Sequence, residues 1–259
     1  MVRGLIKALT PSPLRRAAGN LYTAVKSQSL EWVFADVYRR NGWGGDTGCY
    51  SGPGSHLAGI VEPYLESVTV FLERLSQKPA VVDLGCGDFN VSQHLVPYTN
   101  LFIGCDIARV VVERNRQLFP TVTFHQVDIT RGPLPDADIC IVRQVLQHLD
   151  NRSVVAALHK MARYPIWVVT EHVPFGDNFT PNIDIRAGCD VRVPLGSGVV
   201  LNAPPFNFHD YTPSLLCEVE FRYPPCDGRI DGRIRTEVFT KTGSPRVNAS
   251  AKVTPRAGP

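Results

Sequence analysis

Between Pro79 and Val173, five short apolar runs (AVVDLG, LFIGCDI, TFHQVDI, DICIVRQ and IWVVTEHV) are interleaved with helical patterns at 91–96, 109–119 and 151–162. This alternation constrains the fold more than any other feature. Each run is apolar on both faces, as a strand is when helices cover both sides of its sheet, and crossover helices make neighbouring strands parallel. Two later runs, CEVEFRY at 217–223 and RIRTEVFTK at 233–241, flank PPCDGRIDG and predict an antiparallel pair at one edge. The expectation is an α/β fold: a doubly wound, mostly parallel, seven-stranded Rossmann-like sheet with an antiparallel edge strand.

Helical patterns at 29–40 and 56–76 flank NGWGGDTGCYSGPGS, a segment of 15 residues with six glycines that reads as a lid near 41–55. The chain therefore divides into an N-terminal helical extension with its lid (1–55), the α/β domain (56–242) and a tail (243–259). The tail lacks aromatic residues and a periodic apolar pattern, so burial cannot offset the entropy of ordering it. The 27 basic and 24 acidic residues give a net charge of +3, without the concentrated basic surface that nucleic acid requires. The basic N-terminus is interrupted by Lys7 and Pro11, and no run reaches about 18 apolar residues, so neither export nor stable membrane insertion is expected. Seven cysteines without a CxxC pair point to reduced thiols and a cytoplasmic setting.

In an open α/β sheet the ligand lies beyond the carboxyl ends of the strands, where the strand order reverses. The loop of VVDLGCGDFN, with Asp83, Gly85 and Gly87, occupies that place. Asp106 ends the second strand 19 residues after Gly87, where a carboxylate can accept hydrogen bonds from a ribose diol. Asp128 and Ile129 end the third, where an acid could hold an adenine amine and an apolar side chain could cover its ring. A dinucleotide is disfavoured, because Asn90 stands where a third glycine is needed and Asp88 adds negative charge beside the pyrophosphate position.

Together, VVDLGCGDFN, Asp106, DIT at 128–130 and VRQVLQHL at 142–149 resemble the successive motifs of class I S-adenosylmethionine-dependent methyltransferases. The resemblance implies S-adenosylmethionine as cofactor, held by Asp83, Gly85, Gly87, Asp106, Ile107, Asp128, Ile129 and Arg143. A narrower likeness runs through RRNGWGG, SGPGS, CGDFN, LQHL and LNAPPFNF. It is similar to bacterial sugar O-methyltransferases, including those of mycobacterial methylmannose polysaccharide synthesis. It implies transfer to a sugar hydroxyl of a (methyl)mannose oligosaccharide in polysaccharide biosynthesis.

A protonated hydroxyl is a poor nucleophile, so a base or a metal is needed. His148, after the fourth strand, is the first candidate base, and Glu171 and His172 end the fifth strand on the same edge. These three could also hold Mg²⁺ with waters. Tyr50, Ser51, Asn202, Phe206 and Asn207 are the candidate acceptor contacts. The NAPPFNF segment is unlike the base-gripping loop of adenine methyltransferases: Ala203 interrupts the pattern, and it lies about 60 residues too late. A small-molecule O- or N-methyltransferase of another pathway and a non-catalytic cofactor-binding module stay open as alternatives.

Overall fold

Strands β1 (Ala80–Leu84), β2 (Leu101–Asp106), β3 (Thr123–Gln126), β4 (Ile139–Arg143), β5 (Ile166–Pro174), β6 (Tyr211–Phe221) and β7 (Gly232–Lys241) form one sheet in the order β3-β2-β1-β4-β5-β7-β6. The computed structural model describes residues 29–45, 49–222 and 232–243; most of the predicted N-terminal extension and tail lies outside them. β1 to β5 are parallel, and β7 runs antiparallel to both of its neighbours. The reversed strand is thus second from the edge, and β6 is the edge strand. Strand order reverses between β1 and β4, whose register pairs Asp83 with Ile141.

Successive residues of a strand point to opposite faces, and the core divides accordingly. Val82, Leu84, Cys140, Val142, Trp167 and Val169 pack on one face with Val154, Ala157, Leu158 and Met161 of helix α4 (Asn151–Met161). Val81, Ile139, Ile141 and Val168 pack on the other with Tyr64, Val68, Phe71 and Leu72 of helix α2 (Ala58–Glu73). Helix α1 (Leu30–Arg39) starts at Ser29, whose hydroxyl accepts from Trp32 N, and it buries Phe34 and Tyr38 one turn apart. Asp150 caps α4 through Ser153 N at 2.8 Å, satisfying an N–H that the helix leaves open.

Three segments differ from the sequence expectation. The stretch expected as a helix at 91–96 is a 3-10 helix, Ser92–Tyr98, where Pro97 cannot supply the N–H that an α-helix would need. β3 stops at Gln126, and Asp128 instead folds a turn in which its Oδ1 accepts from Thr130 N (2.8 Å) and Thr130 Oγ1 (2.6 Å). β6 begins at Tyr211, six residues before the predicted run at 217. Tyr211 stacks on Trp167 with centroids 3.9 Å apart, and its hydroxyl donates to Tyr164 O at 2.6 Å.

Candidate active site

β1 delivers Asp83 to the carboxyl edge, and the chain then turns through Gly85 (φ 85°) and Gly87 (φ 53°), in backbone conformations that favour glycine. A Cβ on Gly85 would lie 2.4 Å from Val145 Cγ2, and one on Gly87 would lie 2.3 Å from Ser51 Oγ. The loop is held from β2 and from helix α3 (Arg109–Leu118). Asp106 accepts from Gly87 N (3.0 Å) and Ala108 N (2.9 Å), one through each oxygen, and Asn115 Nδ2 donates to Gly87 O at 2.7 Å. Asp83 accepts from Ser92 Oγ at 2.6 Å. Burial pushes its carboxyl up to about 7 against the pull of Ser92 and Arg143, and burial raises Asp106 as well.

The glycine-rich segment after α1 is fastened over this loop. Asp88 Oδ2 accepts from Ser51 N (3.1 Å) and from His56 Nε2 (2.6 Å), and Ser51 Oγ accepts from Asp88 N (2.7 Å). Asn90 Nδ2 donates to Ser55 O at 2.7 Å, and Arg143 donates to Ser55 Oγ (3.1 Å) and Gly54 O (2.5 Å). The Asp88 side chain is therefore bonded to Ser51 and His56.

After β4 the chain makes a 3-10 turn, Leu146–His148, gripped from two sides. Glu171 on β5 accepts from Leu146 N (3.1 Å) and Gln147 N (2.9 Å). Arg192, 1% exposed, donates to the carbonyls of Leu146 (3.2 Å), Gln147 (3.1 Å) and Leu149 (2.7 Å), to Ile183 O (2.9 Å) and to Asn151 Oδ1 (2.9 Å). Its guanidinium has five N–H bonds, and five acceptors surround it. Burial pushes the Glu171 carboxyl up to about 8, opposed first by Arg192 and then by the backbone N–H groups. His148 Nδ1 lies 3.1 Å from Asp190 O, and its ring centroid is 5.4 Å from that of Trp43. Loss of solvation pushes His148 down to about 4, so the imidazole is neutral near pH 7.

These parts enclose a cavity of about 640 Å³. Asp83, Gly85, Gly87, Asp106, Ile107, Asp128, Ile129 and Arg143, the residues predicted for the cofactor, all line it, as do Ser51, His148 and His172. Its far wall comes from Leu30, Phe34 and Tyr38 of α1, Trp43, and the insert after β5 at residues 184–186, 189–191 and 194–195. Other expected site residues stand outside its lining. Glu171 does not line the cavity, because its carboxylate is turned to the backbone of the 146–148 turn. Tyr50 stacks on His56 at 4.3 Å and lies outside the lining. Phe206 belongs to the core, and Asn202 and Asn207 are exposed away from the cavity. Asn182 Nδ2 holds that segment by the carbonyls of Val200 (2.8 Å), Ala203 (3.3 Å) and Pro204 (3.0 Å).

The buried acids Asp83 and Asp106 beside a glycine loop suit a cationic adenosyl donor, for which no phosphate has to be balanced. The trio considered for Mg²⁺ does not fit a metal: Glu171 spends both oxygens on N–H groups, and the described residues contain no cluster of three His, Cys, Asp or Glu side chains placed for an ion.

The family model described as "Methyltransferase domain" matches residues 81–164, from β1 to just before β5. Over those residues the chain carries a methyltransferase domain. No curated protein matches it by sequence. The methyltransferase fold is shared with solved structures of low identity. The N-methyltransferase NodS from Bradyrhizobium japonicum, in complex with S-adenosyl-L-homocysteine, superposes with a TM-score of 0.55 at 14% identity, covering 81% of this chain and 99% of that one. Magnesium protoporphyrin IX methyltransferase from Synechocystis gives 0.52 at 15% identity, covering 82% and 100%. TehB from Haemophilus influenzae gives 0.50 at 14% identity over 67% of this chain, which spans 61% of TehB. No helix among the described residues is long and apolar enough to cross a membrane.

Three residues that hold the cavity's surroundings together are not among the expected site residues. Gln147 sits inside the LQHL motif beside His148, and that adjacency was its signal. Asp88 carried a visible charge but no visible partner 37 residues away. Arg192 lies in a Pro- and Gly-rich stretch without periodicity, where nothing distinguishes a buried arginine from a solvated one.

Proposed function

We propose that the protein methylates a hydroxyl of a sugar or short oligosaccharide, methylated mannose oligosaccharides foremost, as a cytoplasmic step of polysaccharide biosynthesis. In this reading residues 41–55 are the lid and 56–242 the catalytic domain. The observation that carries it is His148: a neutral imidazole on the cavity wall, 5.4 Å from the Trp43 ring. A hydroxyl acceptor needs a base, and an indole face beside that base suits the C–H face of a pyranose.

Asp106 would hold the ribose diol of the donor, Asp128 and Ile129 its adenine, and Asp83 and Arg143 its amino-acid end. Bound there, S-adenosylmethionine would supply a methyl carbon on a sulfonium, whose sulfur would leave with the bonding electron pair as a neutral thioether. His148 Nε2 takes the hydroxyl proton as the acceptor oxygen bonds to that carbon, and solvent later removes the proton. The lid and the 184–195 insert exclude water and hold the acceptor in line.

The test is transfer of labelled methyl to mannosides and methylmannose oligosaccharides by wild-type protein and His148→Ala. Transfer to a sugar hydroxyl that falls about 10²- to 10⁴-fold in the variant supports the reading. An unchanged rate removes His148 from the chemistry. Labelling of amines alone moves the acceptor class to nitrogen.

A further inference from the structure

The side chain of Gln147 is bonded at both ends. Its Oε1 accepts from His172 N at 2.8 Å in the buried interior, and its Nε2 lies 3.2 Å from His148 Nε2. A main-chain N–H can only donate, so the oxygen of the amide is the end that faces β5. The amide nitrogen then faces the imidazole, and an NH₂ group can only donate. His148 Nε2 must accept, so the neutral ring carries its proton on Nδ1, where Asp190 O stands 3.1 Å away to receive it. Three bonds in series therefore fix one tautomer from one end.

We infer that Gln147 is a positioning residue: it transmits the fixed polarity of the β5 main chain to His148 and keeps the Nε2 lone pair available on the cavity side. The other tautomer would set Nε2–H against the amide N–H and the Nδ1 lone pair against the Asp190 carbonyl, two repulsive contacts at once. A protonated ring would keep the first of these. The main chain that bears both residues is clamped by Glu171 and Arg192, so the two side chains keep their spacing at the backbone. At 3.2 Å the amide contact is at the long end of hydrogen bonding, and an acceptor hydroxyl can replace it on the lone pair while the Asp190 bond preserves the tautomer.

This inference rests on His148 being the base only for its catalytic consequence; the tautomer can be read without any turnover. The experiment uses the full chain labelled with ¹⁵N-histidine, with His148→Asn identifying the resonance. The expected wild-type spectrum shows His148 protonated at Nδ1 and bare at Nε2 near neutral pH. Gln147→Glu, which replaces the donor with an acceptor, should shift His148 to the Nε2–H or doubly protonated form. Methyl transfer should then fall at least tenfold, with S-adenosylhomocysteine affinity within about twofold. A wild-type ring bare at Nδ1, or an unaltered tautomer in Gln147→Glu, overturns the inference. A tautomer change without loss of transfer upholds the tautomer assignment and counts against His148 as base.

Discussion

Glu171 and Arg192 hold the same turn from opposite sides, the carboxylate on its N–H groups and the guanidinium on its carbonyls. A lysine in place of Arg192 keeps the charge but offers three donors on one nitrogen, too few and too compact for carbonyls spread from Leu146 to Ile183. Arg192→Lys is expected to lose about 2–4 kcal/mol of stability, the cost of leaving two or more buried acceptors unmet. Urea unfolding would measure this. The same variant should lower kcat more than it raises donor Kd, because the displaced group is His148 and not the 85–87 loop. Equal losses in both would place Arg192 in general packing.

Asp83 should make donor binding depend on pH. Its carboxyl stands near 7 in the donor-free protein, so at pH 7 about half of it is protonated. A cationic donor stabilises the carboxylate, and binding should therefore release up to one proton per site, with affinity rising as pH increases from about 6 to 8. Calorimetry in two buffers of different ionisation enthalpy reads the release directly. Asp83→Asn should abolish it. The folded value is raised above the unfolded one. The contribution of Asp83 to stability is therefore full below about 3.9, the unfolded carboxyl value, and is lost as pH rises through 7.

His148 behaves in the opposite sense. Its folded value is depressed to about 4, below the unfolded value of about 6.5. Its share of stability is complete above about 6.5 and disappears as pH falls toward 4, where only the unfolded chain binds the proton readily. If it is the base, kcat at saturating donor and acceptor should be level from about pH 8 down to about pH 5. An acid limb centred near 6.5 that is absent in a His148 variant would contradict the depressed value.

Asp88 gives a separate handle. Asp88→Ala removes the acceptor of Ser51 N and His56 Nε2, while the bonds of this segment to Asp88 N, Asn90 and Arg143 persist. Two lost bonds at about 1 kcal/mol each correspond to donor release faster by roughly ten- to thirty-fold. Stopped-flow displacement of S-adenosylhomocysteine measures the off-rate. No change would mean that the bonds left from Asp88 N, Asn90 and Arg143 are enough to hold residues 51–55 over the loop.

The carboxyl edge of the sheet was legible where a strand's own apolar run announces its end. Asp83, Asp106 and Arg143 follow from strand ends and the reversal of order, and Gly85 and Gly87 from the turn between them. Residues beyond the sheet were harder to place. Glu171 ends in the right region, but whether a carboxylate serves solvent, substrate or a main-chain turn depends on what the neighbouring loop offers. Asn202, Phe206 and Asn207 read as acceptor contacts from their motif, whereas Asn182 anchors that segment away from the cavity through three carbonyls. Such pairings, about 20 residues apart in a stretch with no repeating pattern, leave no periodic trace.

The central register has one further bearing. Asp83 stands opposite Gly104 on one side and Ile141 on the other. A slip of one residue by β1 would turn its acid to the far face and drive Val82 and Leu84 out of their layer. Packing errors and chemical errors in this strand are therefore the same error, and a chain that passes the test of compactness has already set its charges where the reaction wants them.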